Sequence, residues 1–173
     1  MRARWLFVIL FSSLCALAQP KQLGQIMRFA LPAGATSAEV TSVSPNGKLF
    51  AGYYVDQTGT DWGFVWTQTG VDQNNNPVGN YTRTLANVTF TGINDSGDVA
   101  GNYVSGSMTG NFVMTEDGRT YNMRETSMLA KDYALGISNR HNNTVIVSGY
   151  WVLHANSPYQ SPDSPLYAII PLN

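Results

Sequence analysis

Gly92-Ile93-Asn94-Asp95-Ser96-Gly97-Asp98-Val99-Ala100-Gly101 is the stretch on which the fold turns. Its first two residues end a β-prone run that starts at Thr89. Asn94 to Gly97 carries turn chemistry, because Asn and Asp bond their own backbone and tolerate left-handed conformations, and Gly accepts a positive φ. From Asp98 to Val104 the chain reads as a second strand, with Val99 and Gly101 on one face and Ala100 and Asn102 on the other. Outward from there, the polar loop Ser105 to Thr109 leads to a strand over Asn111–Thr115. Glu116-Asp117-Gly118 turns the chain, and Arg119–Met123 follows with Tyr121 and Met123 on one face. Four short strands joined by tight turns make an antiparallel meander.

The stretch recurs. Val43-Ser44-Pro45-Asn46-Gly47 precedes Leu49–Val55, and Ile137-Ser138-Asn139 precedes Val145–Val152, so the starts lie 50 and 44 residues apart. That spacing is the period of a small β-unit. In the first copy the strands fall at Glu39–Val43, Leu49–Val55, Gly63–Trp66 and Tyr81–Leu85, with a polar loop over Val71–Gly79. It holds one more residue between Gly47 and Gly52 than the second holds between Gly97 and Gly101, and a β-bulge in the strand is the expected remedy. The third copy has strands at Tyr133–Ile137, Thr144–Leu153 and Leu166–Ile170, a loop over His154–Pro165, and no fourth strand. Gln25–Leu31 is expected to supply it, pairing beside Leu166–Ile170 to complete the last unit and cover its edge.

The expectation is an all-β chain of three propeller-like units of about 45–50 residues each. A three-fold, trefoil-like β-barrel is the alternative. Three units fall below the 4 to 8 blades of known propellers, which leaves a small ring, a homodimer that completes a ring, or the barrel. Tyr53, Tyr103 and Tyr150 follow the strand-two glycines, and Phe64, Phe112 and Tyr167 sit in the third strands. Such regular placement points to packing between neighbouring units.

The pattern over residues 92–101, followed by an aromatic strand and a Gly turn, resembles the bacterial extracellular repeats called the HAF family. Those repeats read Gly-Ile-Asn-x-x-Gly-x-Val-Val-Gly and then His-Ala-Phe-Leu-Trp. Here the second element is Gly63-Phe64-Val65-Trp66 and Asn111-Phe112-Val113-Met114, without the family's His, and Pro165–Ile169 departs further. The resemblance spans residues 39 to 170. It implies a secreted bacterial protein with propeller-like blades and brings no activity or catalytic residue with it.

The N-terminus has the three parts of a secretory signal peptide: Arg2 and Arg4, the apolar run Trp5–Leu14, and Ala16-Leu17-Ala18 before Gln19. The apolar run is short of the roughly 20 residues of a spanning helix. Residues 1–18 are therefore read as a signal peptide and 19–173 as a single all-β repeat domain, secreted or periplasmic, with no membrane insertion after cleavage. Cleavage removes Cys15, the one cysteine, so stability rests on a hydrophobic core. It also removes two of the ten basic residues and none of the eleven acidic ones, leaving a net charge of −3. That balance argues against nucleic acid as a partner.

Only 12% of residues are charged, with Gly, Asn, Ser, Thr and Tyr in their place. His141 and His154 lie in a polar turn and a Pro-rich loop, without a nucleophile elbow or metal-spaced partners, and are read as surface residues. No catalytic residue, metal site or cofactor is assigned. Asn94 to Asp98 gathers oxygens but lacks the longer ligand series of a calcium loop. The copies differ in their loops, and binding is expected there: Asp56–Trp62, Val71–Gly79, Val104–Gly110 and His154–Pro165. Trp62, Asp56, Asp61 and Tyr159 are the candidate ligand contacts, for a glycan or a surface protein. The expected role is a secreted binding or scaffold module. The alternative is a polysaccharide hydrolase, which would bring Asp56, Asp61, Glu116 or Asp117 together in one pocket.

Overall fold

The computed structural model describes residues 30–105, 108–125, 130–153 and 164–172. Strands β1 (Ala35–Val43), β2 (Leu49–Asp56), β3 (Asp61–Val71) and β4 (Pro77–Ala86) form the first sheet. The second holds β5 (Val88–Ile93), β6 (Val99–Ser105), β7 (Met108–Met114) and β8 (Thr120–Glu125). The third holds β9 (Ala130–Ile137), β10 (Thr144–Leu153) and β11 (Ser164–Pro171). All pairings are antiparallel and join neighbours in the chain. The described residues are thus an all-β array of three meanders. Among the described residues no sheet closes into a barrel, against the trefoil-like alternative.

Among the described residues the third unit has three strands. Of the segment expected to complete it, residues 25–29 lie outside the described residues. Ala30 lies against the first unit, where its carbonyl accepts a hydrogen bond from the Tyr81 hydroxyl of β4 at 2.8 Å.

The first unit departs from the sequence reading in two places. Its β3–β4 hairpin runs on to Val71 and resumes at Pro77, so the expected Val71–Gly79 loop shrinks to residues 72–76. Asp72 makes the tight reversal workable: its Oδ1 accepts the N–H groups of Asn74 and Asn76, each at 2.8 Å, and Asn75 takes a φ of 66°. The extra residue of this unit sits in the β1–β2 turn, not in a strand bulge. Ser44 closes that turn on Leu49, where Asn94 closes its own on Asp98. In the three units Ser44 Oγ, Asn94 Oδ1 and Ser138 Oγ each accept the N–H at the far side of the turn, from Leu49, Asp98 and Ile146.

A bulge does recur, at one position in every first strand. Thr41, Thr91 and Leu135 are the extra residues between the pairs Val40↔Gly52 and Ser42↔Ala51, Phe90↔Gly101 and Gly92↔Ala100, and Ala134↔Gly149 and Gly136↔Ser148. Thr41 uses the added twist to donate its hydroxyl to the Phe90 carbonyl of the next unit at 2.6 Å.

The core lies between the sheets. Ala51 and Val65 of the first unit meet Val88, Phe90, Ile93, Val99, Phe112 and Met114 of the second. The opposite face of the second unit, Ala100 and Val113 with Tyr121 and Met123, meets Ala134, Val145, Val147 and Leu172 of the third. The alternation read from residues 98–104 therefore holds, with Val99 facing back and Ala100 facing forward. Each large side chain so enclosed contributes roughly 1.5–3 kcal/mol. The far face of the first sheet carries its own aromatic cluster of Phe50, Tyr54, Phe64 and Trp66.

Candidate functional site

The units meet differently at their two ends. The β2–β3 hairpin holds three of the four expected contact residues. Asp56 ends β2, and its carboxylate is fully used inside the turn. Oδ1 accepts the Thr58 hydroxyl at 2.6 Å and the N–H groups of Thr58 and Thr60 at 2.8 and 3.0 Å, while Oδ2 accepts the Trp62 indole N–H at 2.9 Å. The Thr58 and Trp62 side chains, helped by the backbone N–H groups, hold its pKa down to about 2. Trp62 also stacks on Tyr54, with ring centroids 6.1 Å apart and planes 6° from parallel. Asp56 is thus the organiser of a turn, and Trp62 is braced by it.

Asp61 behaves otherwise. It lies next to Trp62 in β3, so the two side chains leave opposite faces of the sheet. Trp62 joins the aromatic cluster on the far face, and Asp61 turns toward the second unit. The structure therefore does not bring Asp56, Asp61 and Trp62 into one site. Tyr159 lies outside the described residues.

Asp61 lines a cleft of about 510 Å³ in which all three units take part. The first unit gives Gly59, Thr60 and Asp61. The second gives Asn87, Thr89, Asn102, Tyr103 and Thr109, and the third gives Tyr133. Among the described residues Asp61 has no hydrogen-bond donor on its carboxylate. Gly110 makes room for the Tyr103 ring, whose nearest carbon a Cβ there would meet at 2.5 Å. Tyr103 also tilts against the buried Phe112, with centroids 6.4 Å apart. Asn102 forms one wall. Its amide accepts the Ala134 N–H at 2.9 Å and donates to the Ala134 carbonyl at 3.2 Å, so it ties β6 to β9 as a strand would.

At the opposite end the first turns of the three units form a row. Asp95 Oδ1 accepts the Asn46 N–H, Asn139 Oδ1 accepts the Asp95 N–H, and Asn139 Nδ2 returns a bond to Asp95 Oδ2, at 2.8, 2.8 and 2.9 Å. Behind this row Asp98 is fully buried and takes both arms of Arg140. Burial pushes its carboxyl up. The bonds from Arg140 and Asn94, the Arg140 charge and the Glu116 N–H outweigh that and hold it below the ordinary range. Arg83 of β4 reaches across from the first unit, donating to the carbonyls of Gly97 and Glu116 at 3.2 and 2.9 Å. Glu116 and Asp117 stand in the β7–β8 turn at this end, away from Asp56 and Asp61. Asp117 is engaged by Thr115 and Arg119. The carboxylates of Asp95 and Asp98 therefore bind neighbouring turns, and Asn94 Oδ1 closes its own.

Sequence reasoning passed over Asn102, Arg83 and Arg140. The sequence carries one signal: Asn102 stands where Tyr53 and Tyr150 stand in the sister units. His141 is exposed in the β9–β10 turn, and His154 lies outside the described residues. No protein-family model, curated protein or solved structure matches this chain.

Proposed function

We propose that this protein is an exported β-repeat binding module that takes a carbohydrate in the cleft between its three units. The observation that carries this reading is the composition of that cleft. It combines Asp61, whose carboxylate accepts no hydrogen bond among the described residues, with Tyr103, Tyr133, Asn87, Thr60 and Thr89. A carboxylate accepts two sugar hydroxyls at once, amide and hydroxyl side chains serve the remaining ones, and a tyrosine ring offers a flat apolar face with a polar tip. The volume is in the range of small-ligand sites. A signal peptide over residues 1–18 and the likeness of residues 92–101 to HAF-type repeats agree with work outside the cell. A hydrolase of polysaccharides needs two carboxyl groups about 5–9.5 Å apart across the scissile bond. Among the described residues that line the cleft Asp61 is the one acidic side chain; Asp56 is engaged in its own turn, and Glu116 and Asp117 belong to the other end.

The test is a glycan array probed with the chain from Gln19 onward and with two variants. Asp61→Ala is expected to abolish the glycan signal. Trp62→Ala, on the other face of the same strand, is expected to keep it. Absence of any glycan signal from the unaltered protein, or equal loss in both variants, would overturn the assignment.

A further inference from the structure

Among the described residues, β1 at one end of the array and the last sheet at the other both expose apolar side chains, while the aromatic cluster beside β1 (Phe50, Tyr54, Phe64 and Trp66) is itself buried. Each contact between units follows one rule: the first strand of the later unit lies on the face of the earlier one. In that strand the residue opposite the strand-two Gly and the residue before the turn point back. These are Phe90 and Ile93 in the second unit, both buried against the first unit. In the third they are Ala134 and Ile137, packed against the second. In the first unit the same positions hold Val40 and Val43, and these are 40% and 47% exposed.

The forward faces show the complementary break. The bulge residue, the turn-closing residue and the residue before the strand-two Gly point forward. Thr41, Leu49 and Ala51 do so in the first unit, under the second, and Asp98 and Ala100 do so in the second unit, under the third. In the third unit the equivalents are Leu135, Ile146 and Ser148. Ile146 pairs with Ile169 on the same face. Leu135, Ile146 and Ile169 are 53%, 49% and 62% exposed. Three large aliphatic side chains on one sheet face form a patch of the kind that marks an interaction surface.

We propose that two copies of this chain dock head to tail, the Leu135–Ile146–Ile169 face of each receiving β1 of the other through Val40 and Val43. The new junction continues the interface that the chain already makes twice, with the same strand positions on both sides. A heterologous contact of this sort either closes or runs on into a filament. Two chains bring six units, which lies within the four to eight of closed propellers, so the pair closes. The junction carries no turn-to-turn bond, since Pro45 stands where Asp95 and Asn139 supply side-chain acceptors. Association is therefore looser than between units of one chain and depends on concentration. This inference is independent of the carbohydrate reading.

Light scattering after size exclusion decides it, on the chain from Gln19 onward at about 100 µM, above the micromolar range of weak interfaces of this kind. The unaltered protein is expected at the mass of two chains. Val40→Asp and Ile146→Asp, both at exposed positions, are each expected at the mass of one chain, with unchanged far-UV circular dichroism. An equimolar mixture of the two variants is expected to return to two chains, because one junction then joins two unaltered faces. A single-chain mass for the unaltered protein overturns the proposal, as does a mass above two chains. So does a mixture that stays at one chain, and so does either variant that keeps the mass of two chains, the result for like-to-like docking through its unaltered face.

Discussion

Arg140, in the β9–β10 turn, closes both arms of its guanidinium on the buried carboxylate of Asp98 in the preceding unit, with Nε 2.6 Å from Oδ2. Asp98 also accepts from Asn94 and from the Glu116 N–H, so one carboxylate joins the β5–β6 turn, the β7–β8 turn and the third unit. Arg140→Met would leave that charge enclosed and short of its partner. A fully buried pair broken in this way costs about 3–5 kcal/mol. A third of Arg140 meets solvent, so a loss of about 2–3 kcal/mol is expected in urea unfolding. Asp98→Asn combined with Arg140→Met removes the charge as well and should cost less than Arg140→Met alone.

Gly92 marks a close backbone approach between the second and third units. A Cβ at Gly92 would sit 2.8 Å from the Gly136 Cα and 2.9 Å from the Ile137 nitrogen, both backbone atoms of β9 that no side-chain rotation can clear. Gly92→Ala is expected to destabilise by about 2 kcal/mol, in the range of overpacked cores. Gly70→Ala is the control, because its Cβ would meet only a Val78 methyl at an ordinary 3.6 Å. A melting temperature for Gly92→Ala equal to that of Gly70→Ala would refute the steric account.

What the sequence disclosed and what it withheld divide along physical lines. Residues 92–101 disclosed the unit, because turn chemistry and strand alternation are local, and Val99 and Ala100 do point where their alternation says. The length of the β3–β4 hairpin was hidden. Thr67-Gln68-Thr69 falls between the expected strand Gly63–Trp66 and the expected loop Val71–Gly79, yet threonine suits an exposed strand, and the bonds to Asp72 that set the reversal lie within five residues. The site was less legible still. Asp56, Asp61 and Trp62 are neighbours in the chain, and proximity suggested one pocket. Alternation along β3 sends Asp61 and Trp62 to opposite faces, and Asp56 is consumed by its own turn. Tyr133, Asn102 and Tyr103 reach the cleft only through the packing of units 30 to 70 residues apart in the chain.

The carboxyl groups set the response to acid. Hydrogen bonds hold Asp56 at about 2, and Asp72, Asp98 and Asp117 are also below their ordinary value of 3.8. A carboxyl whose folded pKa lies under its unfolded one adds stability that is complete above the unfolded value and is lost as pH falls through the folded one. The melting temperature should therefore be level from pH 7 to about 5 and fall between about 4 and 2. Asp56→Asn should flatten part of that fall and alter the tryptophan emission, since the Trp62 indole loses a charged acceptor. An unchanged acid profile for Asp56→Asn would show that its bonds in the turn do not persist in solution.

Asn102 and Asn111 stand directly opposite each other in the β6–β7 ladder, and their amides have opposite fortunes. Asn102 exchanges two bonds with the Ala134 backbone. Asn111 is fully buried, and neither its Nδ2 nor its Oδ1 finds a partner among the described residues. An enclosed amide without a bond costs about 1–3 kcal/mol relative to a satisfied one. Leucine has nearly the shape of asparagine and no polar atoms, so Asn111→Leu should raise stability, by about 1 kcal/mol after repacking. Asn102→Leu should lower it by about 1–3 kcal/mol, because the Ala134 N–H and carbonyl are then left unpaired between two sheets. Chemical denaturation of the two variants is the measurement. Opposite signs for one substitution at facing positions would follow from bonding alone, since residue type and strand pairing are the same. A loss of stability in Asn111→Leu would mean that its amide is engaged in solution.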